Sequence, residues 1–446
     1  MRVTLDVPMS LGDIAAAVGV TPSLSANPLI RAITTDSREA REGDLFVALK
    51  GRVTDGNEFI TSATERGAFT LGSTDESDLR VADTEESLLT IAKYYKNTSL
   101  TSLQHTVAIT GSVGKTTTKE FLRRLLSRRH KIHATEGNYN NTIGVPLAVL
   151  SAPCDTEILI LELGMNSTGE IARLSECINP TVGVITNIGT AHIGRLGSRE
   201  KIAEAKLELI CGMSPDSSLY VPYGEALLEG YGRKTFSTSS PYATVAVLGK
   251  PDVNVLLRGA PIGISPFLPE GHHHRECLAA ALSAALEISD ISGTISSISE
   301  ISECDTRARI RAINDFFILD DSYNASYESI NAALYHLFAL HGYNRKSVLL
   351  GDVLELGEFA EEIHLKIGRL LARFSPAEIY LYGDYAGFTA RGALIMGVEK
   401  DHLHAFGTGN EQELANTISS RSTKGELILV KGSRGMHLEK IIEYIS

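Results

Sequence analysis

From residue 106 onward the chain alternates short apolar runs with longer stretches in which apolar positions recur at helical spacing. HTVAIT is followed by KEFLRRLLSRR, EILILELGM by EIARLSECI, and TVGVITNIG by SREKIAEAKLELI. Apolar runs of about four to eight residues between helical patterns predict a parallel sheet covered on both faces, because a strand buried on both sides shows no polar alternation. The rhythm returns in FFILDD, SVLLGD, EIYLYGD and ELILVKG, each followed by a loop and a helix. Three of these strands end in Asp at the carboxyl edge, where open α/β sheets place their ligands.

The flanking regions read differently. The first hundred or so residues mix strand-like runs such as DLFVAL with polar loops and end in the helical stretch ESLLTIAKYYKN. Residues 217–270, rich in Gly, Pro, Thr and Val, predict short antiparallel strands decorating the central sheet, before helix resumes at RECLAAALSAALEI. The Ser- and Ile-biased SDISGTISSISEISE precedes a candidate boundary near Arg307. With 446 residues the chain exceeds what one core holds. The expected fold is α/β in three domains: a small α/β domain (1–103), a central domain with a mostly parallel sheet (104–307), and a Rossmann-like domain (308–446).

Composition narrows the partners. A net charge of -12 argues against nucleic acid, whose phosphate backbone is bound by clustered Lys and Arg. The five cysteines, Cys154, Cys177, Cys211, Cys277 and Cys304, are odd in number and widely spaced, so neither a disulfide framework nor a zinc motif is expected. No apolar run reaches about 18 residues, and the start MRVTLDVPMSLGDIA lacks the unbroken apolar stretch of a signal peptide. A cytoplasmic protein without membrane insertion is the expectation.

The chemistry concentrates in TGSVGKTTTKEF, residues 110–121. The usual phosphate-loop pattern has a glycine five positions before Gly114, where this chain has Ile109. The context is nevertheless that of a phosphate cradle, with a buried strand before and a helix after. Gly111 and Gly114 let backbone N–H groups approach phosphate oxygens, with Ser112 and Thr117 completing the loop. The helix N-terminus adds its positive end, Lys115 reaches the outer phosphates, and Thr116 can hold Mg²⁺. The metal needs further ligands, and the next strands deliver Glu162 and His192 at the same edge. Singly, these could be a salt-bridged carboxylate and a hydrogen-bonded core histidine; beside a phosphate loop they point to metal ligation.

TGSVGKTTT, TEGNYNNTIGVPLAVL, LELGMN, NIGTAHI with a following AKLEL, DDSYNA, GDVLELG and VKGSRG together resemble the Mur ligases, in order and over nearly the whole chain. The likeness is greatest to the MurF type, which joins D-alanyl-D-alanine to UDP-N-acetylmuramoyl-tripeptide. This family's loop is TG-x-x-GKTT and needs no glycine at Ile109. The resemblance implies a UDP-binding domain, a central ATPase domain and a C-terminal domain that brings the amino substrate. ATP would phosphorylate the tripeptide carboxylate, and the incoming amine would attack the acyl phosphate.

Carried over position by position, the resemblance implies Lys115 on the outer phosphates and Mg²⁺ held by Thr116, Glu162 and His192. Lys206, which on its helix alone reads as a surface lysine, matches a family lysine that CO₂ converts to a carbamate, an anion able to ligate the metal or steady its waters. Asn140 and Asn141 match positions that contact the muramoyl peptide, and Ser37 and Arg38 those that meet the uridine diphosphate. Arg309 and Asp321 match nucleotide contacts, with Tyr323 and Asn324 at the cleft. Two departures stand out. HHHRECLAA replaces H-N-x-x-N-A-L-A-A, putting His273 and Glu276 where the family recognises adenine, and DGNEF places Asn57 where histidine is common. A sister ligase adding another amino acid, or a nucleotide-hydrolysing switch, are the alternatives, and a monomer is expected.

Overall fold

The structure, a computed structural model, describes residues 1–23, 26–51, 53–232, 234–249, 253–265, 272–301 and 309–445, without the side chains of 253, 264, 265, 272, 300 and 309. The apolar runs form three sheets. The N-terminal one has five strands, β1 (Arg2–Ser10), β2 (Leu29–Thr34), β3 (Leu45–Val47), β4 (Phe69–Gly72) and β5 (Leu79–Arg80), in sequence order. Only β1 and β2 run antiparallel; the other pairs are parallel. The helix Thr84–Ser99 starts at Asp83, whose carboxylate accepts from the N–H groups of Glu85 and Glu86. It buries Leu88, Ile91 and Tyr95, and the Tyr95 hydroxyl donates to the carbonyl of Ala152 at 3.3 Å, joining this domain to the next.

The central sheet has nine strands: β6 (His105–Thr110), β7 (Ile132–Ala134), β8 (Ile158–Glu162), β9 (Val182–Ile185), β10 (Ser218–Pro222), β11 (Lys234–Ser237), β12 (Val245–Leu248), β13 (Val253–Leu257) and β14 (Ala260–Ser265). Their spatial order is β14-β13-β12-β11-β10-β9-β6-β8-β7. Every residue of β8 and β9 is buried, as a sheet covered on both faces requires.

Residues 217–270 correct an expectation. β10, β11 and β12 continue the sheet in parallel, and only β13 and β14 turn back as an antiparallel pair. The reason lies in what covers them. Tyr220, Phe236, Val245 and Val247 share one core with Phe121, Leu122 and Ala281, so the segment extends a buried layer under the helix His272–Ile288. Its Gly- and Pro-rich connections suggested hairpins, but burial of each large apolar side chain contributes about 1.5–3 kcal/mol and sets strand direction instead.

The C-terminal sheet comprises β15 (Arg309–Ile313), β16 (Phe316–Asp320), β17 (Arg345–Gly351), β18 (Ile379–Tyr382), β19 (Leu403–Phe406) and β20 (Glu426–Lys431), ordered β15-β16-β20-β17-β18-β19. All but β15 are parallel. Cys154, Cys177, Cys211 and Cys277 are free thiols. Cys304 and the boundary expected at 307 lie outside the described residues. Among the described residues no helix is long and apolar enough to cross a membrane.

Candidate active site

The phosphate loop explains its own missing glycine. Ile109 is still a strand residue, in register with Glu162 of β8 and Val184 of β9. The chain turns only at Gly111, with φ +146°, where a Cβ would lie 1.8 Å from Thr186 Oγ1. Gly114 follows at φ +86° and opens the helix Lys115–Leu126. Both positions exclude side chains and leave backbone N–H groups beside the helix N-terminus, the geometry that receives phosphate.

The loop is fastened by residues that sequence reasoning missed as site residues. Asn187 Oδ1 accepts from the N–H groups of Ser112 and Val113 at 3.1 and 2.9 Å, while Asn187 Nδ2 and Thr186 Oγ1 donate to the Val113 carbonyl at 3.1 and 2.6 Å. Gly189 N donates to Ser112 Oγ at 2.9 Å. Lys115 Nζ donates to the Gly111 carbonyl at 2.8 Å, folding the ammonium back over the loop. Position directly after a buried strand, in TVGVITNIG, was the available signal for Asn187.

Glu162 ends β8 and is 2% exposed. Its Oε2 accepts from Thr116 Oγ1 at 2.6 Å and its Oε1 from Asn140 Nδ2 at 2.8 Å. The Glu162 backbone is held too, N–H to Thr135 Oγ1 at 3.0 Å, and the buried Lys119 ammonium donates to the Thr135 carbonyl. Asn140 thus orients Glu162, whereas Asn141 Oδ1 accepts from Ile143 N and Gly144 N at 3.2 and 2.7 Å and braces the turn into the helix Gly144–Leu150. Thr116 and Glu162 are hard oxygen donors close enough to touch one cation. Among the described residues no three His, Cys, Asp or Glu side chains converge, so a cation here would complete its shell with phosphate oxygens and water. That donor set fits Mg²⁺, which keeps several waters.

The loop after β9 carries His192, in left-handed conformation at φ 67°. Its Nδ1 faces Glu355 Oε2, from the C-terminal domain, at 2.9 Å. Burial pushes the His192 pKa down; Glu355 opposes this, while the charges of Lys115 and Lys206 add to it. Lys206 is 2% exposed, correcting the surface reading that its helix alone suggests. The helix Arg199–Leu207 carries polar groups all round, so no stripe betrays the buried face. Burial and the neighbouring Lys115 ammonium hold the Lys206 pKa well below 10.5. Lys115, His192 and Lys206 therefore share one electrostatic neighbourhood.

The opposite wall comes from the C-terminal domain. A cleft of about 1040 Å³, counted with its open mouth, is lined by Lys115, Thr116 and Glu162 on one side and by Asp321, Tyr323 and Lys431 on the other. Ser112, Gly114, Thr117, Asn324 and His273 also line it, as does Ala191, next to His192. Lys431 Nζ, buried, donates to Asp321 Oδ2 at 2.7 Å and to the Asn324 carbonyl at 2.9 Å, anchoring the loop after β16. Of the three strand-end aspartates only Asp321 reaches this cleft. Asp352 is buried and accepts from Tyr385 N at 3.0 Å, and Asp384 accepts from Thr408 Oγ1 at 2.9 Å. Ser37 and Arg38 lie in the N-terminal domain, away from the cleft lining; Arg38 forks onto Asp36 with contacts of 2.9 and 2.6 Å. Arg309 begins β15, and its side chain is outside the description.

Comparison with known proteins agrees with this layout. Family models match in three stretches: the Mur ligase family, catalytic domain at 29–92, the Mur ligase middle domain at 109–241, and the Mur ligase, glutamate ligase domain at 306–434. A UDP-N-acetylmuramoyl-tripeptide--D-alanyl-D-alanine ligase of Bacillus subtilis is 35% identical over 94% of both chains, and one of Synechocystis is 32% identical over 95% of this chain and 93% of the relative. The crystal structure of MurF from Acinetobacter baumannii superposes with a TM-score of 0.85 at 29% identity, covering 99% of each chain. MurF from Thermotoga maritima, solved with ADP, gives 0.75 at 25% identity over 93% of this chain and 96% of that one. Likeness that runs unbroken through all three sheets leaves one assignment: the chain belongs to the Mur ligase family, in its tripeptide–D-alanyl-D-alanine ligase branch.

Proposed function

We propose that this protein joins D-alanyl-D-alanine to the terminal carboxylate of UDP-N-acetylmuramoyl-tripeptide at the expense of ATP, in the cytoplasm, where both nucleotides are at hand. Residues 1–103 bind the UDP end, 104–307 bind ATP, and 308–446 bring the dipeptide amine. The observation that carries this reading is the single cleft in which Lys115, Thr116 and Glu162 face Asp321, Tyr323 and Lys431 from another domain.

The reaction sets three tasks. The γ-phosphoryl group must meet a carboxylate although both are anions, and the Lys115 ammonium and the N-terminus of the helix Lys115–Leu126 supply positive potential for that. Thr116, Glu162 and His192 would hold Mg²⁺, which would supply neutralisation of the anionic charge. The carboxylate oxygen takes the phosphoryl group, ADP leaves, the D-alanyl amine attacks the acyl carbon, and collapse of the tetrahedral intermediate expels phosphate. Water must be excluded meanwhile, and the C-terminal domain forms a wall for that purpose. Asp321 binds the nucleotide ribose, with Arg309 and His273 on the nucleotide side. Ser37, Arg38, Asn140, Asn141, Tyr323 and Asn324 serve the muramoyl and dipeptide substrates.

Lys206 becomes a carbamate in this reading. Its depressed pKa supplies the neutral amine that CO₂ requires: Nζ bonds to the CO₂ carbon, one proton leaves, and an anion results. The product attracts Lys115 where the ammonium repelled it.

Phosphate release from ATP tests the reaction. Turnover is expected only when UDP-muramoyl-tripeptide and D-alanyl-D-alanine are both present; equal turnover with either omitted refutes the ligase assignment.

A further inference from the structure

The loop that carries His192 is gripped by two carboxylates of the C-terminal domain. At one end Glu328 accepts from Thr190 N and Oγ1 at 2.9 and 3.1 Å. At the other, Glu355 presents one oxygen to His192 Nδ1 at 2.9 Å and the other to Arg195 Nη2 at 2.6 Å. The backbones meet as well: Gly194 N donates to the Glu355 carbonyl at 3.1 Å, and a Cβ on Gly194 would lie 2.4 Å from Gly357 N.

Glu355 is delivered by a braced loop. Val353 N donates to His364 Nε2 at 3.1 Å and Leu354 N to Ser433 Oγ at 2.8 Å. Glu355 itself sits at φ 62°, facing His192 at φ 67°. Two non-glycine residues thus hold left-handed backbone on opposite sides of one contact, a conformation that persists only where the surroundings dictate it.

An ionised carboxylate can only accept, so His192 Nδ1 carries the proton and Nε2 of the neutral ring carries the lone pair. We propose that Glu355 is a positioning residue for His192, and that docking of the C-terminal domain thereby completes the magnesium side of the central site. The proposal rests on His192 acting toward Mg²⁺, as proposed above. A carboxylate behind a ligating imidazole fixes its tautomer and orientation and raises its basicity. Here that carboxylate arrives from another domain. Metal competence is therefore linked to the closure that also excludes water.

The test uses the full chain with a non-hydrolysable ATP analogue and Mn²⁺ as a paramagnetic probe. Glu355→Ala and His192→Ala are each expected to weaken Mn²⁺ by about 10- to 100-fold, and the double variant to be no weaker than His192→Ala. Metal-free analogue binding by Glu355→Ala should match the parent, which shows that the fold is intact. Arg195→Ala breaks the same interdomain pair without touching His192 and should stay near the parent. Parent-like Mn²⁺ affinity in Glu355→Ala, additive losses in the double variant, or an equal loss in Arg195→Ala would each overturn the proposal. If His192→Ala binds Mn²⁺ normally, the ligand role of His192 falls first and the proposal with it.

Discussion

The phosphate loop after β6 and the near end of the loop after β9 hold each other within one domain, whereas the far end of that second loop, which carries His192, is held from outside. The first is fastened within its own domain, by Asn187, Thr186 and the Gly111 and Gly114 turns. In the second, Thr190, His192 and Arg195 meet Glu328 and Glu355 of the C-terminal domain. The difference lies in which domain supplies the partners. The cradle draws its fastening from the central domain alone, while Thr190, His192 and Arg195 depend on carboxylates of the C-terminal domain. For a reaction with a water-sensitive intermediate that dependence is useful, because the domain that braces the His192 loop is also the one that forms the opposite wall of the cleft.

Single methyl groups can break the comparison on either side. Gly111→Ala should do the most damage, since its Cβ meets Thr186 Oγ1 at 1.8 Å and its φ of +146° is unsuited to a side chain. ATP-analogue affinity, read by calorimetry, is expected to fall about 100-fold or more, a loss near 3 kcal/mol. Gly194→Ala strikes the other side, placing a methyl against the backbone of Gly357. Analogue affinity should hold while ligase turnover drops roughly 10- to 100-fold, as when a catalytic arrangement is displaced by about 1 Å. A matching loss of analogue binding would show that the disturbance at Gly194 reaches the cradle through Gly189 and Asn187.

The smallest effect concerns Lys206. Its pKa is lowered in the folded state, so between that value and 10.5 the unfolded chain binds more protons. Parental stability should therefore rise with pH through this window. In CO₂-free buffer Lys206→Met removes the slope and should melt about 2–4 °C above the parent near neutrality, with the gap closing as pH climbs. Bicarbonate should restore turnover to the CO₂-depleted parent and not to this variant; restoration in both would dismiss the carbamate.

Legibility in the sequence followed the range of the interactions. The strand-loop-helix around GKTTT was readable because its signals are local: a buried run, glycines where φ must be positive, and a lysine at the helix start. Glu162 was readable for the same reason, as the last residue of an apolar strand. The direction of β10 to β12 was not, because a long-range partner, the helix His272–Ile288, decides what those strands bury. Lys206 looked exposed because helical periodicity does not reveal which face another element will cover. The loop partners Asn187 and Lys431 lay in noticed motifs at strand ends, but a strand end marks only the place and not which neighbour an amide or ammonium turns to.

The sequence by itself determined the alternation of strand and helix, the phosphate cradle and the family to which the chain belongs, since these depend on order along the chain and on backbone conformations that only certain residues adopt. Tertiary structure alone decided that Glu355 faces His192, that Lys206 is buried beside a second ammonium, and that Asn140 serves Glu162. Those are contacts between distant segments. Their energies arise from desolvation and from distances of about 3 Å, quantities that exist only once the domains have packed.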